Sequence, residues 1–174
     1  MALYLGMGAA ALAWGSLRGQ PNVWHLAGGQ PAMSTTFAGI LCGLAAGLLI
    51  VFASRLALYR FDWARALHRE LRHLLFPLQD FEIVILAAAS SVGEEMFFRG
   101  ALLPVVGLVA SSAIFALLHI GPKLRHLPWT VSSFGAGLLF GAMFLWTGDL
   151  TGPVLAHFLI NFLNLRHVAQ VELR

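Results

Sequence analysis

The sequence predicts an all-α fold, a polytopic bundle of about six transmembrane helices with one amphipathic helix lying in the membrane interface. Three observations carry that expectation. Of 174 residues, 59% are hydrophobic and only 11% are charged, with a mean hydropathy of +0.78. A soluble core of this size cannot hide so much apolar surface. The apolar residues fall into six runs separated by Gly- and Pro-containing turns. Lys and Arg collect in the links on one side of those runs, as they do in cytoplasmic loops of membrane proteins.

Taken in order, the predicted spans are Ala2–Leu17, Thr36–Ser54, Phe81–Leu103, Val105–Ile120, Thr130–Trp146 and Leu150–Leu165. Several are shorter than the roughly 20 residues that cross a bilayer upright, so their ends extend by a turn or the membrane is locally thin. Ala11-Leu12-Ala13 sits in the first run, which lacks the basic start of a secretory signal and reads as a spanning helix. Turn formers punctuate the links: Gly19, Pro21, Gly28, Gly29 and Pro31, then Pro77, Pro104, Gly121, Pro122 and Pro128, and last Gly148, Gly152 and Pro153. The chain is expected to be one membrane domain, 1–174, made of two N-terminal spans (1–54), an interfacial segment (55–80) and a core of four spans (81–168).

Arg55, Arg60, Arg65, Arg69 and Arg72 lie between spans two and three, Lys123 and Arg125 between four and five, and Arg166 and Arg174 at the C-terminus. Six spans put all of these on one side together with the N-terminus. Both termini are therefore expected in the cytoplasm, with the protein in a bacterial inner membrane. Only Arg18 lies opposite. The net charge of +3 and pI near 9.8 are those of juxtamembrane clusters, and nucleic-acid binding is not expected. Within 55–80, Leu67, Leu71, Leu74 and Leu75 recur at helical spacing beside a stripe of Arg65, Arg69 and Arg72, with Tyr59 and Trp63 at headgroup level. Gly39, Gly43 and Gly47 in span two, and Gly137 and Gly141 in span five, form small-residue ridges for close helix packing. Such ridges serve internal packing first and dimerisation second, so the oligomeric state stays open. Cys42, the sole cysteine, excludes an intramolecular disulfide and reads as a packing residue.

Three spans carry polar groups at depth, where a charge costs roughly 2.5–3.5 kcal/mol on insertion scales and is kept for a partner or a task. The first set is Glu94, Glu95 and Arg99. Glu95 and Arg99 stand four apart with Glu first, the favourable order for an ion pair. Glu94 is turned by about 100° and is free to address something else. The second set is Phe115-Ala116-Leu117-Leu118-His119. The third is His157 and Asn161, which share a face that Asn164 continues. Two donors on one face can bind an oxyanion, or they can be interhelical glue.

Glu-Glu-x-x-x-Arg, Phe-x-x-x-His and His-x-x-x-Asn, in that order, resemble the CPBP family of intramembrane glutamic endopeptidases, which includes CAAX proteases and bacteriocin-processing (Abi) enzymes. The similarity runs from about Ser90 to Asn164 and includes Phe98-Arg99-Gly100 and the Thr147-Gly148-Asp149-Leu150 turn. In its small size the chain resembles the myxosortase-like sorting members. The resemblance implies that 81–168 is a catalytic core acting on a membrane-anchored or lipid-modified protein near its C-terminus. It implies Glu94 as the base that activates water, His119 as its helper, His157 and Asn161 as the oxyanion site, and Glu95 and Arg99 as supporting residues. No cofactor is implied. Zinc held by Glu94, His119 and His157 is the alternative mechanism, weakened by the lack of a His-Glu-x-x-His pair. A non-enzymatic chaperone or proton-coupled carrier is the alternative class, since buried Glu, His and Arg also build proton relays.

Overall fold

The computed structural model describes residues 1–26, 30–75, 77–121 and 123–172. The turn residues Gly28, Gly29 and Pro122, and the C-terminal Arg174, lie outside the described residues. The fold is all-α, and no strand occurs among the described residues beyond an isolated bridge between His25 and Asp149. Its helices are α1 (Ala2–Leu17), α2 (Met33–Arg60), α3 (Asp62–Leu75), α4 (Asp80–Glu95), α5 (Leu103–Val106), α6 (Leu108–Leu117), α7 (Leu127–Thr147) and α8 (Thr151–Gln170). A π-helical segment, Met96–Leu102, joins α4 to α5 without a break in the chain direction.

The distribution of polarity is inverted relative to a soluble protein. Arg99, Glu95, His126 and Ser91 are among the side chains wholly out of contact with solvent, while Leu3, Leu49, Phe52 and Trp146 stand exposed. Polar groups inside and apolar groups outside are what a hydrocarbon solvent selects. By length and composition, two helical stretches can cross a membrane, Met33–Arg60 and Leu124–Thr147, and a third if α3 and the Asp80–Val106 stretch, bent from each other by 109°, count as one. α1 and α6 are apolar but short. α8 is less apolar because it carries His157, Asn161, Asn164 and Arg166.

Two expected spans differ in detail. Val105–Ile120 is not one helix: Gly107 takes φ +83°, a backbone region that favours glycine, and separates α5 from a ten-residue α6. The second span continues to Arg60, which puts Arg55 inside α2 rather than in the following link. Cys42 is exposed on the outer face of α2, so it is no packing residue within the chain.

The glycine ridges act inside the molecule. A Cβ on Gly43 would collide with the carbonyl oxygen of Gly152, and Gly39 and Gly47 meet Thr147 and Ala156. These contacts lay α2 along α8, the most extensive helix pair in the fold. α1 rests on α4 at Gly93, where a Cβ would collide with the Tyr4 carbonyl oxygen.

α3 lies across the bundle end, at 109° to the α4–α5 direction. It buries Ala64, Ala66 and His68 rather than its leucines, and Leu74 points outward. The reason is polar. Arg72 donates to the carbonyls of Val168 (2.9 Å) and Ala169 (2.6 Å), and the His68 ring binds the Val171 carbonyl at 2.8 Å. These bonds satisfy the last carbonyls of α8 with cationic or polar donors. The Glu70 carboxylate takes Lys123 Nζ at 2.9 Å and Arg125 Nη2, with His126 Nε2 at 3.4 Å. Those hydrogen bonds hold its pKa well below the usual carboxylate range, at about 2, and tie α3 to the α6–α7 link.

Candidate active site

α4 and α8 run antiparallel, and each four-residue step up one is matched by a four-residue step back along the other. Glu94 and Glu95 therefore face His157, and one turn away Ser90 faces Asn161. Two polar rungs result. In the first, Glu95 Oε1 accepts from Arg99 Nη1 at 2.8 Å and from His157 Nδ1 at 2.7 Å. Glu95 and Arg99 are 0% and 1% exposed. In the second, Asn161 Nδ2 donates to Ser90 Oγ at 2.8 Å.

The expected Glu95–Arg99 pair thus exists, with two additions. Arg99 sits over the Phe115 ring at 4.3 Å, with Phe140 and Phe98 at 5.5 and 6.0 Å, a cation held between aromatic faces. Glu95 also takes the proton-bearing side of His157. Because a carboxylate can only accept, Nδ1 of His157 carries hydrogen, and Nε2 is left facing Glu94 Oε2 at 3.9 Å. Glu94 itself, 8% exposed, makes no side-chain hydrogen bond among the described residues. Glu95 Oε2 and Arg99 Nη2 are also buried without a hydrogen bond, so half of the buried unsatisfied atoms in the described residues converge here. Natural proteins keep few such atoms, and each asks for an explanation.

His119 is half-buried just beyond α6. Its Nδ1 bonds to the Phe115 carbonyl at 2.9 Å, so Nδ1 carries the hydrogen and Nε2 is left as an acceptor. Its backbone carbonyl accepts from Thr130 Oγ1 at 2.8 Å, and its ring meets Trp129 edge-on at 5.6 Å. Phe115 touches both imidazoles, His119 at 4.5 Å and His157 at 6.0 Å between ring centres. His119 is within Coulombic reach of Glu94 but not hydrogen-bonded to it. Among the described residues, no three His, Cys, Asp or Glu side chains come together in a group able to hold a metal ion. The zinc alternative therefore finds no assembled ligand set in Glu94, His119 and His157.

Asn164 departs from the expected face. Its Oδ1 accepts from Arg55 Nη1 (2.8 Å) and Ser54 Oγ (2.9 Å), while Arg55 Nη2 reaches the Leu163 carbonyl at 2.8 Å. Asn164 is a tie between α8 and α2, and it does not join the cluster. Ser90 is the new member; its signal was its place four residues before Glu94, matching Asn161 four after His157.

A family model described as type II CAAX prenyl endopeptidase Rce1-like matches residues 77–163, which is 87 of the 174 residues, or half of the chain. The matched region holds both rungs, Arg99 and His119. The uncharacterized protein YpbD of Bacillus subtilis (strain 168) is 40% identical over 82 residues, 45% of this chain and 41% of that protein. The chain thus spans less than half the length of this relative. No solved structure matches the chain.

Proposed function

The chain belongs to the type II CAAX prenyl endopeptidase Rce1-like family, and from that premise we propose that it is an intramembrane endopeptidase of the glutamic type. It hydrolyses a peptide bond near the C-terminus of a membrane-anchored or lipid-modified protein. The observation that supports this best is the contrast between adjacent carboxylates. Glu95 is engaged by Arg99 and His157, whereas Glu94 is buried, without a hydrogen bond, and 3.9 Å from His157 Nε2. A buried acceptor left unpaired is expensive, and a chemical task explains its retention.

The charge balance of the cluster sets the chemistry. Two carboxylates face one permanent cation, Arg99, so electroneutrality requires one more proton, held on His157 Nε2 or on Glu94. With the proton on His157, Glu94 is an ionised base and Nε2–H is a donor. Glu94 then takes a proton from a water that His119 Nε2 also accepts from, and the oxygen attacks the scissile carbonyl carbon. The carbonyl π bond opens to an oxyanion, received by His157 Nε2–H and an Asn161 Nδ2–H. Collapse re-forms the carbonyl and breaks the C–N bond, as Glu94 returns its proton to the leaving nitrogen. One water is consumed, and one acid and one amine are released.

In the bilayer α3, the α6–α7 link and the C-terminal end of α8 lie at the cytoplasmic face, where the Arg-rich surface is. The family supports this substrate class. Purified wild type and Glu94→Gln protein, incubated with membranes of a strain lacking the gene, are compared by sequencing new protein termini. New C-termini with wild type only are the expected result. Identical termini from both proteins would falsify the assignment, and loss of cleavage with phenanthroline restored by zinc would replace the mechanism.

A further inference from the structure

Ser90 stands outside the mechanism above, yet it is 3% exposed and joins the two helices that build the site. We propose that Ser90 is a positioning residue, which locks the Asn161 amide with its N–H side toward the site. The proposal rests on the proteolytic reading of Glu94 and His157. An asparagine amide is nearly symmetric in shape, and a 180° flip exchanges its donor for an acceptor. The flip decides function here. A carbonyl turned toward the developing oxyanion repels it, whereas an N–H stabilises it.

Ser90 removes that freedom. Its hydroxyl has one proton, which goes to the Ala87 carbonyl at 3.2 Å in the preceding turn, a common i−3 bond for helical serine. What it offers α8 is then a lone pair, and only Nδ2 of Asn161 can answer it, at 2.8 Å. The amide nitrogen has two hydrogens. One goes to Ser90, and the other is left to the substrate oxygen, one helical turn from His157. The burial of Ser90, 3% exposed, keeps water from competing for its hydroxyl.

The test is a double-mutant cycle with a second readout. Ser90→Ala should lower kcat by tenfold or more with KM within about twofold, because an oxyanion contact exists only in the transition state. Ser90→Thr, which keeps the hydroxyl, should restore most of kcat. In an Asn161→Ala background, Ser90→Ala should have no further effect. In protein labelled with 15N-asparagine, whose only asparagines are Asn22, Asn161 and Asn164, the Asn161 side-chain amide should exchange slowly with solvent and lose that protection in Ser90→Ala. Unchanged kcat, an equal loss in the Asn161→Ala background, or unaltered amide exchange each overturns the proposal. Should wild type show no Glu94-dependent cleavage, the proteolytic reading fails by itself, and the amide exchange alone decides whether Ser90 holds Asn161.

Discussion

Removing the buried cation is the sharpest test of how the charges are held. Arg99→Met deletes a guanidinium that is 1% exposed, 2.8 Å from Glu95 Oε1 and 4.3 Å from the Phe115 ring centre. Breaking a buried pair by removing one partner costs about 3–5 kcal/mol, because the other charge is left uncompensated. Loss of the aromatic contact adds about 1–2 kcal/mol for a desolvated cation, and methionine packing among Phe98, Phe115 and Phe140 returns part of it. The expected total is about 4 kcal/mol. The double variant Glu95→Gln/Arg99→Met removes both charges while the new side-chain amide still offers an oxygen to His157 Nδ1, so it should recover at least half of that loss. Reversible unfolding in mixed micelles titrated with dodecyl sulfate, read by the fluorescence of the five tryptophans, measures both. If Arg99→Met lies within about 1 kcal/mol of wild type, or if the two substitutions simply add, the charges are not held by each other and the reasoning fails.

The two asparagines of α8 should separate cleanly. Asn161→Ala should lower kcat about 10²–10³-fold, the usual loss for an oxyanion donor, whereas Asn164→Ala should spare kcat and cost about 1 kcal/mol through its lost bonds to Arg55 and Ser54, which keep the Leu163 and Val51 carbonyls. Gly43→Ala drives a Cβ against the Gly152 carbonyl and should destabilise by about 1–3 kcal/mol, while Gly8→Ala, with nothing within 4 Å, should be neutral or slightly stabilising in the same unfolding assay. Glu70 has a folded-state pKa of about 2, below its unfolded value of about 4.3. Its contribution is therefore complete above about pH 5 and lost as pH falls from about 4 toward 2. Hydrogen exchange across α3 and 123–126 should accelerate in Glu70→Gln at neutral pH, and the difference from wild type should shrink on acidification through that window.

Much of this was legible because the decisive signals are local. The six apolar runs became six helical stretches, since uninterrupted apolar sequence in lipid has no other way to satisfy its backbone. The Glu95–Arg99 pair followed from a spacing of four on one helix. Spacing cannot tell which neighbour a polar face will meet. His157, Asn161 and Asn164 share a stripe, yet the first two face α4 while Asn164 turns to Ser54 and Arg55 of α2. The glycines of α2 contained the missing information, because they bring α2 against α8 closely enough for Arg55 to reach the Leu163 carbonyl. Ser90 was harder to read for a related reason: a serine in an apolar helix usually bonds its own backbone, as the adjacent Ser91 does, and only the facing asparagine gives Ser90 a second role.

Depth, by contrast, can be counted along the helices. Counted along straight helices, Glu94 is about 21 Å above the start of α4 and His157 about 9 Å from the start of α8. The two lengths add to the roughly 30 Å of a hydrocarbon core, so starts at opposite membrane surfaces put both residues at one level. They are indeed close, 3.9 Å apart. The start of α8 is held from inside the fold. Asp149 and Leu150 in the turn before it are buried, and the chain at Trp24–Leu26 covers them, with Leu26 N–H bonded to the Gly148 carbonyl and Leu150 N–H to the Trp24 carbonyl. Asp149 accepts the Thr151 N–H at 2.6 Å and caps α8 from within. The π-helical segment and α5 meanwhile carry the α4 direction onward to Val106. The buried turn fixes where α8 starts, and that start, together with the antiparallel course of α4, sets His157 beside Glu94.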